Sequence, residues 1–254
     1  MLRAAKVSVF FIDDAQMVRP NEIGSIKYIK DTATKFQCRV LEFELEAQFR
    51  CGGSGGFVNW INNTLGVQKT ANVLWDTKES FEFRIFDTPW NLENAIKERQ
   101  ALTNTGRMTA GFCWGWSDQN TDGTLKEDVM IGDFTRPWNA KPDAAKLALG
   151  IPKSSLWAYD PNGLNQIGCV YTAQGFEFDY VGVIIGKDIV YNLDKQQWEG
   201  NKVHSYDTVF KRSKDKFEDL IKNTYRVLLT RGMKGCYVYF EDKDTERFFK
   251  SRME

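Results

Sequence analysis

Residues 168–186 constrain this chain more than any other stretch. Their second half, 181–185, is the most apolar short run in the sequence, rich in β-branched residues and closed by Gly186. A run of that length reads as a strand buried on both faces. Immediately before it lies a polar turn over 172–179. There Gly175 lets the backbone come close to a ligand, and Thr172, Gln174, Glu177 and Asp179 place four polar side chains beside it. On the residues alone, an ordinary turn into a core strand accounts for this pattern as well as a binding loop does.

The rest of the chain supplies the neighbours that such a strand needs. Near the start, an apolar run over 7–12 ends abruptly in Asp13 and Asp14. In open α/β sheets ligands gather at the carboxyl ends of strands, so a strand here would put both carboxylates where chemistry occurs. Nucleotide hydrolases hold Mg2+ with an aspartate at such a strand end, and the next acid can position the attacking water. A strand that simply ends in a polar turn fits equally well. Gln16 adds a contact to phosphate or to that water.

Residues 21–35 read as a helix capped by Asn21, and 38–45 alternate as a strand does. The glycines of 52–56 lack the Lys-Ser/Thr that follows a phosphate loop, so they read as a flexible turn. Further helices are expected over 57–65, 89–102 and 214–229, with Gly232 ending the last of them. Further strands are expected over 81–87, 108–116, 129–134 and 236–240. Trp114 and Trp116 either stack on nucleic-acid bases or fill a core edge. The stretches 117–149 and 190–212 read as polar excursions, Lys211 to Lys216 as a solvated basic helix start, and 241–254 as a charged tail. Strands alternating with helices at this spacing give an α/β fold with a largely parallel sheet.

Composition limits the function classes. The chain's 254 residues can form one large domain or two small ones. Its 34 basic and 34 acidic residues cancel, so any nucleic-acid affinity must come from local patches. Five widely spaced cysteines suggest reduced thiols rather than a disulfide framework. The single histidine, His204, argues against a histidine metal site or a catalytic triad. With no apolar run of membrane-spanning length and no signal-peptide pattern, the expectation is a cytoplasmic protein that makes no use of a membrane.

Taken in order, these pieces resemble the later motifs of superfamily-one helicases. More closely, they resemble a bacterial family of helicase-related P-loop ATPases akin to Schlafen-type helicase domains. Residues 10–16, Phe-Phe-Ile-Asp-Asp-Ala-Gln, resemble the Walker B or DExQ box, which makes Asp13 the Mg2+ ligand and puts Asp14 where a glutamate is usual. Residues 45–51 resemble the segment whose arginine, here Arg50, reaches the γ-phosphate. Residues 171–179 resemble the TxxGxE box that couples nucleotide to strand, with Thr172 towards nucleic acid and Gln174, Gly175 and Glu177 towards nucleotide. Residues 225–232 resemble the last motif, with Thr230 beside the nucleotide and Arg231 as an arginine finger.

The resemblance implies a RecA-like P-loop NTPase fold, with residues 1–47 as part of a first lobe and 48–254 as a complete second, helicase-type lobe. It implies ATP and Mg2+ as cofactors and single-stranded nucleic acid as partner, contacted by Thr172, Trp114 and Trp116. Two departures stand out. Asp14 is one methylene shorter than glutamate, and no Gly-x-x-x-x-Gly-Lys-Ser/Thr occurs. The phosphate cradle is therefore expected upstream, in a longer protein of which this chain is the C-terminal part, inactive by itself. The alternative is a non-catalytic nucleotide-sensing or protein-interaction module that keeps the fold. A nuclease finds no support, since no acid–lysine or histidine–metal constellation stands out.

Overall fold

The computed structural model describes residues 2–19, 25–44, 51–103 and 105–254. In chain order these form α1 (Ile26–Lys35), α2 (Gly55–Thr64), β1 (Glu82–Phe86), α3 (Pro89–Thr103), β2 (Gly106–Ala110), β3 (Val129–Ile131), β4 (Phe134–Arg136) and β5 (Ile167–Gly168). There follow α4 (Val170–Ala173), β6 (Phe178–Ile185), β7 (Ile189–Asn192), β8 (Gln197–Gly200), α5 (Thr208–Arg212), α6 (Phe217–Leu229), β9 (Gly232–Phe240) and α7 (Lys243–Lys250). Strands β1, β9, β6, β2 and β5, in that order, make one sheet in which every pairing is parallel. The chain is thus α/β with a central parallel sheet, an architecture compatible with a RecA-like fold.

Period-two alternation sorts the sheet's side chains into two layers. Val181, Val183 and Ile185 of β6 join Cys236, Val238 and Phe240 of β9 in one core, closed over by Phe57 and Ile61 of α2 and Leu220, Tyr225 and Leu228 of α6. Tyr180, Ile184, Tyr237 and Tyr239 point the other way, beneath Leu92 and Ile96 of α3. Each fully buried aliphatic or phenyl side chain contributes about 1.5–3 kcal/mol over an exposed one, which is why the central strands tolerate so little polarity. The amphipathic pattern of α6 is met, but the helix starts only after a 3-10 turn at Lys214–Lys216.

Several expectations need correction. Residues 7–12 are not a strand: Val7, Val9 and Phe11 are 78, 71 and 81% exposed. Residues 38–44 are not a strand either, although they alternate, and they too lie exposed. A strand is held by its partner's hydrogen bonds, and alternation alone supplies no partner; among the described residues neither segment has one. In consequence Asp14 opens a 3-10 turn, Asp14–Gln16, with Asp13 just before it, and neither stands at a strand end. Helix α1 is capped by Ser25, whose Oγ accepts from the Tyr28 amide, while Asn21 lies outside the described residues.

The expected strand over 108–116 stops at Ala110, leaving both tryptophans in a loop, and the stretch 129–134 is the start of a hairpin. The polar turn contains a helical turn, α4. Gly232 opens β9 instead of ending α6; a Cβ there would lie 2.2 Å from the Gly235 carbonyl oxygen. The charged tail is α7, whose Phe248 and Phe249 pack into the core while Lys243 and Lys250 pair with the buried Glu246. No helix among the described residues is long and apolar enough to cross a membrane.

Candidate functional site

Strand β2 leads to β5 on one side and β6 leads to β9 on the other, so the connections diverge between β6 and β2. In parallel sheets, ligands enter the crevice outside the carboxyl ends at such a point. Here the crevice is filled. Tyr225 reaches into it from α6, donating its hydroxyl to Asp188 Oδ1 at 2.6 Å and accepting the Gly186 amide at 3.0 Å. Cys113 Sγ lies 4.0 Å from the same phenolic oxygen. A Cβ on Gly111 would fall 1.9 Å from that oxygen, so only glycine leaves room for the ring. All three side chains are buried, and burial pushes the Asp188 carboxyl up to about 6 and raises the Cys113 thiol and the Tyr225 phenol as well.

The motif residues gather at the opposite end of the sheet, where β6 and β9 begin. Arg226, on α6, donates from NH1 to Asp13 Oδ2 at 3.2 Å and from Nε to Asn62 Oδ1 at 2.6 Å. Gln16 Nε2 also donates to Asp13 Oδ2, at 3.1 Å, and Gln174 Nε2 donates to the Gln16 carbonyl at 3.2 Å. Asn223 holds the Met17 carbonyl at 3.0 Å. The segment carrying Asp13 is thereby fastened to both α6 and α4. Thr230 returns its hydroxyl to the Arg226 carbonyl at 2.8 Å.

Arg231, expected to project from the helix end, is 1% exposed and turns back along α6, its Nε donating to the Val227 carbonyl at 2.9 Å. Its NH1 donates to the Phe176 carbonyl at 3.5 Å, tying the start of β9 to the turn before β6. Gly175 is exposed at φ +93°, with no atom within 4 Å of a would-be Cβ, so its backbone is open to close approach. Glu177 is exposed beside it. Asp14 is engaged elsewhere, its Oδ1 accepting the first amide of α1 from Ile26 at 3.0 Å. Arg50 lies outside the described residues. Sequence reasoning missed Arg226; the one signal for it was a cation on the flank of α6, five positions before Arg231 in the same motif.

Of the nucleic-acid candidates, only Trp116 lines a separate cavity of about 540 Å3. Trp116, Phe112, Tyr171 and Tyr206 line it, with Arg19 and Asp207. Trp116 is half-buried and donates its indole N–H to the Asn139 carbonyl at 2.8 Å; Trp114 stands outside the cavity, donating to the Met130 carbonyl at 3.0 Å. Thr172 is buried, its hydroxyl donating to Asn139 Oδ1 at 2.9 Å and accepting the Cys169 amide at 3.1 Å, so it orders α4 from inside. Tyr171 donates its hydroxyl to the Asp207 carboxylate, and burial together with that carboxylate raises the phenol. Among the described residues, no group of three or more His, Cys, Asp and Glu side chains is placed to share a metal ion.

A family model described as Schlafen group 3, DNA/RNA helicase domain, matches residues 1–242. An uncharacterized protein of Saccharomyces cerevisiae is 25% identical over 270 aligned residues, which cover 96% of this chain and 57% of the relative. The chain therefore spans little more than half the length of that relative. No solved structure matches.

Proposed function

The chain belongs to the Schlafen group 3 DNA/RNA helicase-domain family, and from that footing we propose that it is the nucleotide-responsive second lobe, with part of the first, of a nucleic-acid-dependent ATPase. Residues 1–47 belong to the first RecA-like lobe and 48–254 to the second. The observation that carries this reading is the gathering of Asp13, Gln16, Gln174, Thr230 and Arg231 from three separate motifs around the amino end of one parallel sheet. The exposed Val7, Val9 and Phe11, with Leu41 and Phe43, are apolar side chains that further parts of the first lobe would cover.

Asp13 and Asp14 are an oxygen donor pair of the kind that Mg2+ takes alongside phosphate oxygens and water, and Asp13 would hold the ion, which neutralises phosphate charge when bound. In the present arrangement Arg226 balances the Asp13 carboxylate itself, at 3.2 Å. Gln16 and Gln174, already joined, orient the phosphates of ATP, while Gly175 admits them to the backbone and Glu177 and Thr230 border the nucleotide. Arg50 supplies planar donors that stabilise charge on the transferring phosphoryl group, and Arg231, which here lies buried against the Val227 and Phe176 carbonyls, would do so only after turning outward. Thr172 transmits strand contact through α4, and Trp116 offers a stacking face to single-stranded nucleic acid.

Phosphate release measures this directly. The 254-residue chain should hydrolyse no ATP above background, and a longer polypeptide that adds the preceding phosphate loop should hydrolyse it in a strand-stimulated way. In that longer protein Arg231→Lys should cost ~10³-fold or more in rate, since an ammonium lacks the planar fork of donors. Turnover indifferent to nucleic acid, or to Arg231→Lys at unchanged melting temperature, would sink the motor reading. A second reading, a nucleotide-sensing or protein-binding module without turnover, draws on the engagement of Asp14 with α1. Under it ATP shifts the melting temperature of the longer protein and no phosphate is released.

A further inference from the structure

We propose that the cavity walled by Phe112, Trp116, Tyr171 and Tyr206 takes a single nucleobase, unstacked from a bound strand, with the flanking phosphates running over Arg19 and Lys211. The proposal rests on the nucleic-acid reading of the chain and narrows it to one pocket and one mode of contact. Its first support is that the aromatic faces are set before any ligand arrives. Trp116 is tethered through its indole N–H and Tyr171 through its hydroxyl. The Tyr206 amide donates to the Phe112 carbonyl at 2.8 Å, which zips the two loops that form the walls. A ligand entering such a site orders few side chains, so little of the stacking free energy is lost.

The second support is the charge around the opening. Arg19 lies 4.2 Å above the Tyr171 ring, and the Lys211 ammonium lies 5.6 Å from the Tyr206 ring. Asp207 is the one carboxylate lining the cavity among the described residues. It is buried, and its oxygens accept the Tyr171 hydroxyl and the Val209 and Phe210 amides, at 2.9 and 3.1 Å for the amides. These bonds orient the carboxylate without cancelling its charge, and the two cations at the opening outnumber it among the described residues. That suits a polyanion presenting flat rings and opposes a methylated ammonium group, which needs an open acid or bare aromatic walls. The third support is Tyr206 itself, an aromatic ring 54% exposed at the mouth.

The test is fluorescence anisotropy at low salt, with the whole chain and two probes: a short labelled oligothymidylate and an oligomer of the same length built of abasic residues. Tyr206 is exposed, so Tyr206→Ala should melt like the parent. It should weaken the oligothymidylate about 5- to 150-fold, the range that stacking on one aromatic ring provides. Tyr206→Phe should restore the affinity, because the ring face and not the hydroxyl is used. The abasic oligomer should bind more weakly and be indifferent to both changes. If oligothymidylate binds but ignores Tyr206→Ala, or if both probes weaken equally, the pocket assignment fails while the nucleic-acid reading stands. If neither probe binds at low salt, both fail. A trimethyllysine peptide that binds through Tyr206 where the oligomers do not would replace the nucleobase by a cation.

Discussion

At the carboxyl end of the sheet, Tyr225, Asp188 and Cys113 close on one another beneath Gly111 and Gly186, out of contact with water. At the amino end, Asp13, Gln16 and Gln174 form a half-open band over α6, bordered by an exposed Gly175. The first place is where parallel sheets usually receive ligands, yet here the protein's own side chains occupy it. The residues proposed to meet nucleotide stand at the second. The difference teaches that fold analogy alone does not locate a site on this sheet, and that side-chain filling decides which part of each end remains open.

Substitutions can break that contrast. The largest effect is expected from Gly111→Val, which forces a side chain into the space of the Tyr225 ring. The cost should be ~3 kcal/mol or somewhat more in urea unfolding, the upper part of the range for overpacking. A loss below ~1 kcal/mol would mean that the plug yields and the crevice can open.

Next comes a pH effect. Burial lifts the Asp188 carboxyl from 3.8 to about 6, against the smaller opposing pull of the Tyr225 hydrogen bond. The folded chain thus keeps a proton that the unfolded chain has released, and the stability this brings is complete below 3.8 and lost as pH rises through about 6. Asp188→Asn, which still accepts from Tyr225, should gain on the parent by on the order of 2–3 kcal/mol between pH of about 4 and about 7, levelling above that. A difference that stays flat across the window would show Asp188 to be solvated. The smallest change is expected at the amino end. Asp13 is 38% exposed at its side chain, so Asp13→Asn should alter stability by no more than ~1 kcal/mol. A larger loss in the same unfolding assay would make the Asp13–Arg226 pair a structural tie and weaken the comparison of the two ends.

How far the chain could be read from its residues follows from the range of the forces involved. The runs inside β6 and β9 and the stripe of α6 were legible because burial imposes a local period on each. The same rule misled at 7–12 and 38–44, where the period is present and the partner is not. Helix α7 was missed because its composition is charged, and only two adjacent phenylalanines reveal the buried side. Strand β5 has two residues, too few for any pattern. Of the residues that the motifs name, Asp13, Gln16, Gln174, Thr230 and Arg231 lie near one another in the fold. The inward turn of Arg231, the pairing of Asp13 with Arg226 and the cavity drawing on Arg19, Trp116, Tyr171 and Tyr206 depend on contacts between distant segments, which no local pattern encodes.

The 1.9 Å between a would-be Cβ at Gly111 and the phenol of Tyr225 also governs how descendants of this chain can change. The two positions can change in one order only. A side chain at 111 is barred while the ring stands, whereas loss of the ring reopens the crevice and lifts the bar at once. Lineages that diverge here must shed the aromatic ring before they acquire anything at 111, and each passes through an ancestor with a vacant pocket at the sheet's switch point. A new binding specificity would arise most readily in that ancestor, with Asp188 already in place to greet a ligand.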